Sequence, residues 1–240
     1  MNRRAGTPPE GAGPTRRGRR GPPGHYPHAM NDIRETFIET SEISHRLISR
    51  REVARSWDGP SALELFTIRG LAGHLLRGTG SVEAYLERPE PDEQPLSAAA
   101  YYAAAVDTQD ITAPLHVAIR ERGEGEAAQG HDALVERLQG LIERLRVRLE
   151  GEPAERRMRV HKDMVLTLDD YLVTRLIELT VHIDDLSVSV GVETPPIPPR
   201  ALDLATSALV EVARERHGDL AFLRALTRRE RDAVDAARVL

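Results

Sequence analysis

From residue 31 to residue 217 the apolar side chains recur every three or four positions and almost never alternate. That period belongs to α-helices with one buried face, and it leaves few folds open. Leu134, Leu138, Leu141, Leu145 and Leu149 form the plainest stripe and predict a helix over 131–149. Ile33, Phe37, Ser44, Leu47 and Ile48 predict another over 32–50. Thr67 stands where a side-chain oxygen can cap a helix, and Phe66 and Leu71 flank it at hydrophobic-staple spacing. The helix that follows, "IRGLAGHLLRG", should continue through "SVEAYLER" with a kink at Gly78 and Gly80. Thr167 and Asp170 are at capping-box distance, and Asp169 and Asp170 suit the positive end of a helix dipole. They open a helix over 168–190 that Gly191 stops. "TPPIPP" excludes helix at 195–199, and a further helix over 200–217 should turn Leu202, Leu209 and Val212 inward.

Shorter pieces fill the gaps. A short helix is expected at 97–105 and a brief one at "TAPLHVAIRER", after which Gly123 to Gly130 breaks the pattern. "GEPAERRMRVHKDMV" reads as a loop or short strand, and a short helix with a polar tail ends the chain. Four to five long helices with almost no strand pattern predict an all-α four-helix bundle over 31–230 with an additional C-terminal helix. An intramolecular bundle is the simpler arrangement, and a homodimer is compatible with it.

Composition narrows the function classes. No apolar run approaches the ~20 residues of a membrane span, and no secretory signal precedes the first helix, so a cytoplasmic protein is expected. Cysteine is absent, which removes disulfides, thiolate metal sites and a cysteine nucleophile. Any metal would be held by His and carboxylates, and any thiol would come from outside. Residues 1–29 hold six Arg and one Glu, net +5; against −5 for the whole chain this leaves −10 on the remainder. An acidic body argues against a nucleic-acid-binding domain. The Pro-, Gly- and Arg-rich segment 1–30 is expected to be disordered, with Met30 an alternative start, and 231–240 to be a polar tail. Only Lys162 is a lysine, so 33 − 1 = 32 basic residues are Arg, and arginine is the background here rather than a signal.

Of nine histidines, His74 and His182 lie inside the most apolar helices. Glu178 is one turn before His182, the spacing at which a helix presents two metal ligands to one point. Asp185, one turn beyond, can accept the other imidazole N–H and fix the tautomer. A third ligand must come from a facing helix, and His74 is the other helix-interior histidine. The competing reading of Glu178 and His182 is an exposed i, i+4 pair worth a few tenths of a kcal/mol. Gly70 and Gly73 beside His74 imply close approach of another backbone or a ligand, with tight helix packing the simpler account. Arg77 and Arg175, each three residues from a proposed ligand, can bind a substrate carboxylate in bidentate fashion or simply face water.

"FTIRGLAGHLLRG", followed about a hundred residues later by "RLIELTVHIDDLSVSVGVETPPIP" and then "RHGDLAFLRALTRRER", resembles the mycothiol-dependent maleylpyruvate isomerase N-terminal domain family over about 31–230. The resemblance implies a DinB-like metal-binding four-helix bundle. It implies a divalent metal, zinc first, held by His74, Glu178 and His182, with open positions where a low-molecular-weight thiol such as mycothiol is activated. Characterised isomerases of the family carry a further C-terminal domain that has no counterpart before residue 240, so their specific reaction is not carried over. The expectation is a thiol-dependent transferase or isomerase acting on a small electrophile. The alternative is a DinB-like bundle that binds a ligand or protein partner without turnover. An open position in a deep cleft separates the first from the second. A nucleic-acid binder using the arginine tail is the remaining reading, disposed of if deletion of 1–29 leaves DNA retention at low salt unchanged.

Overall fold

The computed structural model describes residues 28–106, 110–153, 155–232 and 234–239, with side chains from Ile33 onward. Most of the expected disordered tail therefore lies outside the described residues. In chain order the elements are α1 (His28–Ile48), α2 (Arg51–Arg55), α3 (Ile68–Leu86), α4 (Ala98–Ala105), α5 (Pro114–Glu126) and α6 (His131–Gly151). They continue with β1 (Arg157–Arg159), β2 (Val165–Thr167), α7 (Leu168–Val190), α8 (Pro199–His217) and α9 (Asp219–Thr227).

The long helices α1, α3, α6 and α7 form the bundle. α1 packs on α6 and α7, and α3 packs on α6 and α7. Phe37, Leu47, Ile48, Leu71, Leu75, Leu172, Leu176 and Leu179 fill the centre, joined by every leucine of the 131–149 stripe. The predicted caps form: the Thr67 and Thr167 hydroxyls accept from the N–H groups of Gly70 and Asp170, at 3.0 and 3.1 Å. Gly191 ends α7 in the left-handed conformation, with φ +67°. Arg34 ties three elements together. Its guanidinium donates to Asp169 at the start of α7 and to the Leu149, Glu152 and Pro153 carbonyls at the end of α6.

α3 continues through Gly78 and Gly80 to Leu86 as one helix. Two local expectations are corrected. α5 does not end before Gly123 but passes through it to Glu126, since glycine is what lets α5 lie directly on α3. A Cβ on Gly73 would collide with the Gly123 carbonyl oxygen, and one on Gly123 with the Gly70 carbonyl. The glycines beside His74 thus serve helix packing. Finally, Leu202 is 45 % exposed. Val212 is buried as expected, and the rest of the buried face of α8 is made by Ala201, Ala205 and Ala208, small side chains on the side of α4 and α7.

The segment between α6 and α7 is a hairpin, β1 antiparallel to β2, with Met158 opposite Leu166. Tyr102, Ile177, Ala205, Val212 and Val239 belong to a smaller second core joining α4, α7, α8 and the chain end.

Candidate metal centre

α3 contributes His74 and α7 contributes Glu178 and His182, the latter two one turn apart on the same face. Packing of α3 against α7 brings a ligand atom from each to within 4.8 Å of the others. Glu178 Oε2 lies 2.9 Å from His74 Nε2 and 3.6 Å from His182 Nε2. The two imidazole rings stand nearly perpendicular with centroids 4.7 Å apart. On the far side His182 Nδ1 meets Asp185 Oδ2 at 2.8 Å. With the proton on Nδ1, the Nε2 lone pair points toward Glu178 and His74, as a metal ligand requires.

Sequence reasoning missed a further partner. The Tyr102 hydroxyl, on α4, donates to Glu178 Oε1 at 2.8 Å. Both carboxylate oxygens of Glu178 are therefore engaged, Oε1 by the phenol and Oε2 by the imidazoles. The only trace of this in the sequence is a pair of tyrosines inside the alanine run "AAAYYAAA".

The electrostatics follow from burial and pairing. Burial alone would raise the Glu178 carboxyl, but hydrogen bonds from His182 and His74 and the Arg175 guanidinium outweigh it and hold Glu178 well below the usual range. Burial opposes charge on His182, yet Asp185 and Glu178 overcome it and push its pKa up to about 9. Burial lowers His74 despite its bond to Glu178. Burial and then Glu178 push the Tyr102 phenol well up, so it is a neutral donor. Without metal the cluster is thus a carboxylate, an imidazolium and a neutral imidazole.

The residues fit a divalent cation. Two imidazole nitrogens and one carboxylate oxygen are a donor set of catalytic zinc sites. In a tetrahedral site with bonds near 2.0–2.1 Å the donors sit roughly 3.3 Å apart, and Glu178 Oε2 already lies 2.9 and 3.6 Å from the two nitrogens. A metal would replace the proton shared along these contacts and leave the His182–Asp185 bond in place.

A cavity of about 160 Å³ opens beside this cluster, and its wall includes His74 and Glu178 but not His182. Its polar lining is largely phenolic and cationic, Tyr85, Tyr101, Tyr102 and Tyr171 with Arg77, Arg122, Arg175 and His161, beside aliphatic side chains such as Leu115 and Ile119. Both sequence-nominated arginines are therefore in this wall, joined by Arg122 and His161, which the sequence does not single out. Arg175 donates through Nε to Thr174 Oγ1 at 3.2 Å, and its guanidinium lies 4.9 Å from the Tyr171 ring centre. Among the described residues no carboxylate stands at ion-pair distance from Arg175 or Arg122, and Arg77 has only a 3.9 Å contact with Glu126. Burial and then Arg77 lower Arg122; burial, then Lys162, Arg122 and Arg77 lower His161. Glu178 is the only carboxylate in the described lining, so the wall carries an excess of positive charge.

His131 and His45 lie away from this cluster: His131 Nε2 meets the Ile48 carbonyl at 2.8 Å at the end of α1, and His45 is half-buried on the same helix. No helix among the described residues is long and apolar enough to cross a membrane.

Residues 41–187, more than half of the chain, match the family described as Mycothiol maleylpyruvate isomerase N-terminal domain. Among solved structures the chain is similar to that of the mycothiol-dependent maleylpyruvate isomerase and to that of a histidine-to-alanine mutant of this enzyme. For each the identity is 14 % and the TM-score 0.50, over 75 % of this chain and 68 % of the other. At that identity the likeness speaks for the fold. No curated protein matches the sequence.

Proposed function

The chain belongs to the mycothiol maleylpyruvate isomerase N-terminal domain family, and we propose that it is a metal-dependent enzyme using a low-molecular-weight thiol of the mycothiol type. The reaction would be S-transfer to, or isomerisation of, a small electrophile in the cytoplasm. The supporting observation is the position of His74 and Glu178 in the wall of a cavity that also carries Arg77, Arg122 and Arg175, with His182 completing the cluster.

His74, Glu178 and His182 would hold the ion. When bound, a divalent metal such as zinc supplies the positive charge that lowers the pKa of a coordinated thiol. Asp185 keeps the Nδ1 proton of His182, so Nε2 stays available. Arg175 and Arg77 present N–H donors to the cavity and would orient a substrate carboxylate in bidentate fashion. The chain has no cysteine, so the sulfur nucleophile has to be the co-substrate's. A closed or filled site would favour a bundle that binds without turnover; the cavity beside His74 and Glu178 supports the enzyme reading.

The test is metal content of protein purified without chelator or affinity-tag histidines, beside His74→Ala and His182→Ala. About one metal per chain in the wild type, lost in both variants, is expected. Consumption of mycothiol with a panel of electrophilic carboxylic acids should follow metal content and weaken in Arg175→Gln. A folded wild type that takes up no metal even with added zinc would overturn the proposal.

A further inference from the structure

We propose that Tyr102 is a positioning residue for this centre: its hydroxyl occupies Glu178 Oε1, so the carboxylate offers a metal Oε2 alone and leaves coordination positions open toward the cavity. This rests on the reading of His74, Glu178 and His182 as ligands.

A glutamate can bind a cation through one oxygen or both, and a second oxygen would take a position that a thiol or substrate needs. Here the two oxygens face different ways. Oε2 lies between the two imidazole Nε2 atoms, at 2.9 and 3.6 Å, and Oε1 accepts from the phenol at 2.8 Å. The phenol takes one lone pair of Oε1 and holds that oxygen toward α4, so swinging it onto an ion would stretch the bond.

Tyr102 is held to this task by its helix. At the start of α4 the Ser97 hydroxyl accepts from Ala100 N–H at 3.2 Å, Ala98 N–H donates to Asp170 Oδ1 at 3.2 Å, and Leu96 N–H donates to the Val165 carbonyl at 2.8 Å. At its end the Arg216 guanidinium, from α8, donates to the Val106 carbonyl. Alanines on either side of the tyrosine pair let α4 settle against α7 and α8, and the Tyr102 ring is 2 % exposed in the core shared with Ile177 and Val212. Both ends of α4 are pinned and the ring is packed, so the hydroxyl has a fixed address.

Partners that orient a metal ligand typically carry a 10–100-fold effect on affinity. The test uses the full chain with cobalt(II), comparing wild type, Tyr102→Phe and Tyr101→Phe. Tyr102→Phe keeps the ring and its packing and removes only the donor. Tyr101→Phe removes a phenol from the same cavity wall without touching Glu178. The expected result is cobalt affinity about tenfold weaker in Tyr102→Phe, with a weaker visible d–d band as Glu178 adds its second oxygen and the coordination number rises. Tyr101→Phe should keep the wild-type affinity and band. Equal affinity and an equal band in Tyr102→Phe, or the same change in both variants, would overturn the inference while leaving the ligand set standing. A zinc-loaded wild-type crystal structure with both Glu178 oxygens on the metal would overturn it too, whatever Tyr102→Phe does. Failure of the wild type to bind cobalt would instead overturn the ligand set, and this inference with it.

Discussion

Raising the pH of the metal-free protein from 6.5 to 9.5 should unfold it more easily, and the size of the effect can be worked from one residue. His182 titrates at about 9 in the folded chain against 6.5 when free, because Asp185 and Glu178 hold its proton. A folded pKa above the unfolded one contributes stability that is complete below pH 6.5 and lost as pH rises through 9. The difference, 9 − 6.5 = 2.5 units, corresponds at about 1.4 kcal/mol each to roughly 3 kcal/mol. The shifted histidines His45, His74 and His161 are all lowered, so each adds only a small opposing rise that is finished about one unit above 6.5. Glu178 is lowered as well, and its contribution is complete throughout this window. The tyrosines raised above 10 matter only at higher pH. With a urea m-value of roughly 2–3 kcal/mol/M for a chain of this size, the midpoint should fall by about 1 M. The assay is urea unfolding in chelator at four pH values, for wild type and Asp185→Asn. The variant should show a much shallower decline. Saturating zinc should reverse the slope, because the folded chain then gives up the proton to bind metal. A midpoint flat from pH 6.5 to 9.5 in chelator, or an equal decline in Asp185→Asn, would refute the assignment of the His182 proton to this cluster.

Three other outcomes are expected. Asp185→Asn should weaken zinc affinity about 10–100-fold, read by competition with a chromophoric chelator, since the His182 tautomer loses its anchor; an unchanged constant would remove Asp185 from the site. Gly73→Ala should cost about 3 kcal/mol in urea unfolding, because the atom it meets is backbone and cannot rotate away; a loss below 1 kcal/mol would mean that α5 can shift. Arg34→Met keeps most of the stem but strands Asp169 and three carbonyls, and should cost about 3–5 kcal/mol, where a neutral outcome would show that water replaces the guanidinium.

Much of the bundle was legible because its signals are local. The stripe of 131–149, the Thr67 and Thr167 caps and the Gly191 stop each act within one or two turns, and each holds in the structure. Glu178, His182 and Asp185 were legible for the same reason, being one turn apart on one helix. His74 could be joined to them because an imidazole in an apolar stripe invites a partner. What failed depended on distant chain. Gly123 reads as a helix breaker until α3 is known to lie against it. Tyr102, Arg122 and His161 reach the cavity from three elements whose mutual placement no local pattern encodes. Leu202 faces out because alanines, weak in hydrophobicity but small, decide how α8 packs.

The crossing of α3 and α5 has a consequence for the cavity's dimensions. Where Gly70 and Gly73 meet Gly123, two main chains are in direct contact, with no side chain between them to act as a spacer. The span from His74 to the α5 residues that line the cavity, Leu115, Ile119 and Arg122, is therefore gauged by covalent bond lengths and helix pitch rather than by rotamers. On that side the cavity has a ruler built into it. Tailoring the cavity to a wider or narrower ligand has to be done through the side chains that project inward, because the wall itself has no adjustable shim.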